Sequence, residues 1–408
     1  MKIRNKLKDY IQQIRIASGI LKKKVLTGPW SVQIDLTNQC NNDCLACWCR
    51  SKFLKDKAMK PEVVKQSLSY EKVIGLIDEL DKLGVRDIYF TGGGEPFMHP
   101  KILDIMRYIK KKGIHLDMST NFTLVTKRVA EELVDIGIDH MNLSFWAATP
   151  KTYSKLHPNK NEKTFEKMLE IVQYINKLKN ERNIDKPRLG SYNVITKINA
   201  HEVDKMLKLA YEIKLNDIDF IPVDTVPEKT DHLKPTKKQR REMIDKFKTF
   251  PELIPDLERK HKHHVMFKNY EQFLRRIENT GASDGNYDTD ILDKLPSCYA
   301  GWTFARVLAT GDVNSCLKSF KIPVGNIHKS SFTKIWFGRK QEEFRTHTID
   351  YQKEDPYFYS IGNDRATKKQ GCYKCCDNLG FNLLVHGKMS KLRLIKSKIL
   401  KTVGTFLR

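Results

Sequence analysis

A chain of 408 residues, 40% hydrophobic and 10% aromatic, is long enough for one large α/β domain and a smaller second one. Charges recur through its first twenty-odd residues and no apolar run reaches about 18, which excludes a secretory signal and a spanning helix and points to the cytosol. The formal net charge of +24 calls for an anionic partner or surface, and much of it lies at the ends: residues 1–24 hold eight basic groups against Asp9, and residues 387–408 hold seven and no acid.

Residues 1–29 form a basic amphipathic segment, with Ile3, Leu7, Tyr10, Ile14 and Leu21 at helical spacing. Residues 30–225 then alternate strands with helices. Val32–Thr37 reads as a strand; Glu71–Leu83 reads as a helix with Val73, Ile77, Leu80 and Leu83 on one face and Gly84 as its stop. Strand Asp87–Thr91, helix Lys101–Lys112, strand His115–Ser119, helix Lys127–Ile136 and strand His140–Phe145 follow. A longer helix after Thr164, strand Leu189–Thr196, helix Glu202–Ile213 and strand Asp217–Val223 complete six units. Strands separated by helices run parallel with right-handed crossovers, so the expected fold is α/β, a partial (β/α)6 TIM-like barrel with ligands at its C-terminal strand ends. Residues 226–296 read as a charged helical linker ending in the Gly/Asn/Asp-rich stretch Thr280–Asp288. Residues 297–385 read as a small α+β domain, with a hairpin Trp302–Ala309, Thr310-Gly311-Asp312, Val313–Leu317 and a short helix near Ser331–Thr346. The tail 386–408 is again basic and amphipathic, with Leu392, Ile395, Ile399, Val403 and Phe406 in one row.

Nine cysteines fall in groups, and in a reducing compartment close spacing indicates metal binding rather than disulfides. Directly after the first strand stands Cys40-Asn-Asn-Asp-Cys44-Leu-Ala-Cys47. Three thiolates can hold three irons of a [4Fe–4S] cluster and leave the fourth open to a non-protein ligand with an amino and a carboxylate group. A zinc loop is the alternative, although it normally wants four ligands. After the second strand comes Thr91-Gly92-Gly93-Gly94-Glu95-Pro96, whose backbone a ligand can approach closely and whose Glu95 offers a carboxylate to an ammonium group.

Together these two motifs resemble the radical S-adenosylmethionine (radical SAM) superfamily, with its C-x3-C-x2-C loop and Gly-Gly-Glu-Pro motif. The resemblance implies that Cys40, Cys44 and Cys47 ligate the cluster, that its open iron chelates S-adenosylmethionine, and that Gly93, Gly94 and Glu95 hold the amino group. It further assigns Thr120, Asn121 and Ser144 to the ribose and carboxylate; ordinary strand-end capping is the other reading of these three. The chain departs from the family in having Ala46 before the last cluster cysteine, with Trp48 beyond, and Phe122 where the family's Thr-Asn-Gly turn has glycine. Cys49 is extra to the motif.

Farther on, Cys298-x12-Gly311-x4-Cys316 and Cys372-x2-Cys375, with Cys376 adjacent, supply four thiolates for a zinc ribbon or a fully ligated [4Fe–4S] cluster. Downstream of a radical domain this pattern resembles the SPASM/Twitch extension in its one-cluster form, which implies Cys298, Cys316, Cys372 and Cys375 as auxiliary ligands, Cys376 being able to replace Cys375. The implied enzyme takes an electron from a donor such as flavodoxin or ferredoxin, cleaves S-adenosylmethionine to a 5′-deoxyadenosyl radical, and abstracts hydrogen from a substrate C–H in an oxidoreductase or epimerase reaction. Asp224, Asn193 and Arg188 are candidates to face the substrate. The basic charge favours an anionic sugar, nucleotide-sugar or lipid-linked glycan. A peptide-modifying maturase and a non-enzymatic iron–sulfur redox or binding protein are the alternatives. The ends suit peripheral contact with the inner membrane face or packing onto the protein; nucleic acid is disfavoured for want of a reader motif.

Overall fold

The computed structural model describes residues 2–391 apart from 293, 365, 374–378 and 381. Ten strands form one sheet in the order β10-β9-β8-β1-β2-β3-β4-β5-β6-β7. They are β1 (Ser31–Ile34), β2 (Asp87–Phe90), β3 (His115–Thr120), β4 (His140–Leu143), β5 (Arg188–Ile195), β6 (Asp217–Pro222), β7 (Met266–Phe267), β8 (Phe304–Val307), β9 (Asp312–Asn314) and β10 (Gly325–Asn326). Pairings from β8 through β1 to β7 are parallel, and only β8–β9 and β9–β10 are antiparallel.

Helices return the chain between the parallel strands, and several begin where the sequence supplies a cap. The Ser69 side chain accepts from Lys72 N at the start of Tyr70–Lys82, and that of Thr126 from Val129 N at the start of Lys127–Ile136. The latter helix stops at Gly137, whose φ of 67° is left-handed. These helices cover one side of the sheet, where Val32, Ile34, Phe90, Met118, Leu143, Ile218 and Phe220 are fully buried. Each such side chain contributes about 1.5–3 kcal/mol relative to exposure.

Because that side is apolar and strand side chains alternate, the concave side receives the other set. Pairing aligns Gln33 with Tyr89, Tyr89 with Asp117, Asp117 with His140, and Tyr192 with Asp219. Burial raises the pKa of Tyr89, and the charges of both Asp117 and Asp219 reach it and add to that, although β2 and β6 are four strand spacings apart in the sheet. Laid flat, those spacings would span about 19 Å. The sheet therefore curves into an open barrel with a polar lumen.

Two segments differ from the sequence expectation. Residues 226–296 are not only a linker: helix Lys237–His261 leads into β7, which extends the barrel wall by pairing Asp217 with Met266 and Ile218 with Phe267. Phe220, Phe247, Phe250, Phe267 and Phe273 pack ring to ring beneath it. The hairpin of the C-terminal region likewise joins the same sheet, Ser31 of β1 aligning with Phe304 of β8.

Helix α1 (Lys2–Leu21) docks through Ile16 and Ile20 onto Tyr299, Trp302, Ile349 and Met389. Of the row Ile3, Leu7, Tyr10, Ile14 and Leu21, for which a membrane face and packing onto the protein are the two readings, Leu7, Tyr10, Ile14 and Leu21 are exposed, because the opposite face meets the protein; the Ile3 side chain and the row 392–406 lie outside the described residues. No described helix is long and apolar enough to cross a membrane.

Candidate active site and metal centres

The loop after β1 carries Cys40, Cys44 and Cys47, and the glycine turn after β2 packs directly against it. A Cβ on Gly93 would come 2.1 Å from Asn38 Oδ1, and one on Gly94 would come 2.1 Å from the Gln39 carbonyl oxygen. Glu95 N donates to that same carbonyl at 2.8 Å. The two sequence motifs are thus one physical unit. Leu45 N donates to Leu156 O at 2.9 Å, Asn159 Nδ2 to Asn41 O at 2.9 Å, and Asn41 Nδ2 to Thr123 Oγ1 at 2.8 Å, so the turns after β3 and β4 clamp the loop from the other side.

Glu95 is 3% exposed. Its carboxylate accepts from Thr120 Oγ1 at 2.6 Å, Asn121 N at 2.7 Å and Phe97 N at 3.2 Å. Burial pushes its pKa up to about 7 against these donors. Among the described residues no basic side chain pairs with it, so a ligand ammonium group fits as its counter-charge. Thr120 and Asn121, assigned by resemblance to the ribose and carboxylate, donate to Glu95 through the Thr120 hydroxyl and the Asn121 backbone N–H. Asn121 Nδ2 lies 2.8 Å from Asn41 Oδ1 and 3.9 Å from Cys40 Sγ. Ser144 is partly exposed at the same strand ends, its N donating to Thr120 O at 2.9 Å.

Two non-glycine residues at these strand ends have left-handed backbones. Phe122 has φ 62° and Trp146 has φ 55°. Phe122 keeps the left-handed turn for which glycine is suited, at a cost of about 1–3 kcal/mol. Burial of its ring to 1% exposure offsets that.

Cys40, Cys44 and Cys47 are each partly exposed and within electrostatic reach of one another. Burial, then the charges of Cys47 and Cys40, raise Cys44; burial raises Cys40. Cys47 is held down to about 6, chiefly by a hydrogen bond with the Cys49 thiol, whose Sγ lies 3.5 Å away. Cys49 also reaches Gly93 O at 3.5 Å, so the extra cysteine sits inside the site rather than beside it. Among the described residues no group of three or more His, Cys, Asp or Glu side chains converges to hold a single metal ion. Three neighbouring thiols at an open strand mouth fit the three-iron face of a cubane, and loading it releases their protons.

Sequence reasoning missed His157, at the C-terminal end of helix Pro150–Leu156. Its Nδ1 lies 3.1 Å from Cys44 Sγ, with Tyr153 and Trp146 packed on the ring. Burial lowers its pKa to about 4, leaving a neutral imidazole able to donate to the thiolate, and Nε2 is buried without a partner. The residue lies 113 positions from Cys44, and no local pattern marks it.

At the lower end of the lumen His140 bridges Asp117, at 2.8 Å, and Asp217, at 2.9 Å, while Lys268 pairs with Asp217 at 2.7 Å. Burial works to lower the His140 pKa, but the two carboxylates hold it up at about 8. Burial raises Asp219 above this network to about 6. The three substrate-facing candidates fare differently. Asp224 lies just past β6, paired with Lys318 at 2.7 Å. Asn193 aligns with Phe220 on the helix-covered side, 1% exposed and bonded to Ser191 Oγ at 3.1 Å, so it does not face the lumen. Arg188 is exposed at the start of β5, the end away from the cysteine loop. Tyr192 and Asp219 occupy the concave positions that Asn193 was expected to supply.

In the C-terminal region Cys298, Cys316 and Cys372 come together, each within reach of another's charge. Burial pushes Cys298 up to about 12 and Cys372 up to about 11. Cys298 N donates to Thr348 O at 2.7 Å, Cys372 N to Lys353 O at 2.8 Å and Cys316 N to Ser319 Oγ at 3.1 Å. Cys375 and Cys376 lie outside the described residues. Three half-buried thiols brought from separate segments fit an auxiliary cluster.

One side chain links the two cysteine groups. Arg306 of β8 reaches Asp35, at the end of β1, at 2.6 Å and 3.1 Å, with side-chain exposures of 5% and 1%. It also donates to Leu317 O, next to Cys316, at 3.3 Å, and lies over the Trp48 ring, next to Cys47, at 5.6 Å.

Residues 34–210 match the family model of the Radical SAM superfamily, and residues 298–376 match that of the SPASM iron–sulfur cluster-binding domain. The tungsten-containing aldehyde ferredoxin oxidoreductase cofactor-modifying protein of Pyrococcus furiosus is 28% identical over 177 residues, 43% of this chain and 46% of that protein. The chain thus spans under half the length of that relative. The AdoMet-dependent heme synthase of Methanosarcina barkeri is 22% identical over 318 residues, 76% of this chain and 82% of the relative. In fold, the chain is similar to Streptococcus suis SuiB bound to S-adenosylmethionine, with a TM-score of 0.59 at 15% identity over 81% of this chain and 70% of that one. It is also similar to anSMEcpe with bound AdoMet, with a TM-score of 0.57 at 15% identity over 90% and 99%.

Proposed function

We propose, for a chain that carries a radical SAM domain followed by a SPASM iron–sulfur domain, that it generates a 5′-deoxyadenosyl radical and uses it to abstract hydrogen from a substrate held in the barrel lumen. The observation that carries this reading is the packing of the Cys40–Cys47 loop onto the Gly93–Glu95 turn, with a buried carboxylate lacking a cation beside three thiols. A [4Fe–4S] cluster held by Cys40, Cys44 and Cys47 would supply the one electron, received from an external donor, that reductive cleavage of the S-adenosylmethionine carbon–sulfur bond requires.

The chain's own residues orient and enclose. Cys40, Cys44 and Cys47 hold the cluster, Glu95 takes the ammonium, and Thr120 and Asn121 fix the Glu95 carboxylate. Cys298, Cys316 and Cys372, with Cys375 or Cys376, hold the auxiliary cluster.

The substrate we propose is a small polyhydroxylated molecule with an anionic group, a sugar or nucleotide-sugar. Tyr89, Asp117, Asn142 and Asp219 offer hydroxyl partners on the concave side, and the chain carries a net charge of +24 for the anion. A peptide is the second reading, supported by the likeness in fold to SuiB bound to precursor peptide SuiA.

Anaerobic reconstitution, reduction and assay for 5′-deoxyadenosine test the reaction. Cleavage that persists in the Cys40/Cys44/Cys47 triple alanine variant would refute it. Deuterium transfer into 5′-deoxyadenosine from labelled nucleotide-sugars or from peptides decides the substrate.

A further inference from the structure

We propose that the outer face of α1 is a docking surface for an anionic lipid bilayer. Leu7, Tyr10, Ile11, Ile14 and Leu21 are between 40% and 63% exposed. At helical spacing these five positions fall within an arc of about 100°. Diametrically opposite are Gln12, Ile16 and Ile20, the buried face that fixes the helix to the protein. Orientation is therefore set by the fold: the helix is held from behind, and its second apolar face is presented outward.

Charge selects the occupant. Residues 1–24 carry eight basic groups and one acid, and Lys8, Arg15 and Lys22 are exposed along one flank of the apolar row. Long basic side chains beside an apolar stripe place their ammonium and guanidinium groups at headgroup level while the stripe enters the acyl boundary. A second copy of the same surface would bring like charges together.

The structure also places the other basic end beside this one. Residues 382–391 are helical; Met389 packs with Ile16 and Ile20, and Lys388 Nζ reaches Gln13 Oε1 at 3.3 Å. From there the sequence continues into 392–408, with five basic residues, no acid and its own apolar row. The described end of the chain, at residue 391, thus lies beside α1, and two weak membrane signals together are how stable peripheral attachment is built.

Flotation of the reconstituted full chain tests this. The probes are vesicles of phosphatidylcholine alone and vesicles with about a third phosphatidylglycerol. Binding is expected only to the anionic vesicles and to weaken with salt. Leu7→Ser, Tyr10→Ser, Ile11→Ser and Ile14→Ser combined should lower it at least about tenfold. Lys8→Glu, Arg15→Glu and Lys22→Glu combined should do the same, with circular dichroism and cluster absorbance unchanged in both.

Wild-type protein that stays unbound on anionic vesicles, or an apolar-row variant that floats as well as wild type, overturns the proposal. So does loss of a dimer in the variants without any flotation of the parent, which would make a second copy the occupant.

Discussion

Replacing Arg306 by leucine, or Asp35 by asparagine, should unfasten the C-terminal hairpin from the barrel. The pair is almost fully buried, and Arg306 makes contacts of 2.6 Å and 3.1 Å to one carboxylate oxygen. At about 3 Å and an effective dielectric near 20 the attraction is about 5 kcal/mol, before the cost of desolvating both groups. Removing one partner leaves the other buried and uncompensated, which costs about 3–5 kcal/mol. In Arg306→Leu, the Asp35 carboxylate keeps, among the described residues, the Gln33 Nε2 bond at 2.8 Å. The double variant, with neither charge, should lose less than the two single losses combined, by about 2–4 kcal/mol. Urea unfolding of the anaerobic holoprotein reads the total, and amide exchange in β1 and β8 reads the local opening. Single losses that simply add in the double variant would refute the coupling.

Other outcomes follow from the site. Glu95, raised to about 7, is neutral below that pH and anionic above it, so S-adenosylmethionine affinity should fall as pH drops from 8 to 6, and Glu95→Gln should bind weakly with a flat profile. The same shift, from an ordinary 4.5, means stability is fully present below 4.5 and is lost as pH rises through 7, by about 3 kcal/mol for the ligand-free protein. Titration calorimetry and pH-dependent unfolding check the two signs. His157→Phe should lower the midpoint potential of the first cluster by tens of millivolts, because one hydrogen bond to a ligand sulfur is gone; spectroelectrochemistry reads it independently of turnover. Cys49→Ala should keep the iron content that Cys40→Ala loses, and a loss as large in Cys49→Ala would make it a ligand.

What was legible in the sequence was what is local. The cysteines proposed as cluster ligands come as short spacings, and the glycines after β2 signal a close approach that the Asn38 and Gln39 contacts explain. Six strands alternate with amphipathic helices and can be read in order. The seventh is two residues long and carries no period of its own. β8 lies beside β1 through a pairing across some 270 residues, which leaves no mark on either segment. Asn193 is a polar residue in a strand whose register no local pattern marks, and the alternation puts Tyr192 on the lumen instead. His157 comes from a helix end that only the folded chain brings to Cys44.

β1 takes β2 as one neighbour and β8 as the other, and the second is made last. On the ribosome, the strand that bears the first cysteine loop must wait with one edge bare until more than 300 residues have emerged. A chain ending before β8 would expose that edge permanently and leave Asp35 without its guanidinium. Maturation of both metal centres would then depend on the same late closing step, so a fragment comprising the barrel alone should be harder to load with iron than its complete set of first-cluster thiols suggests.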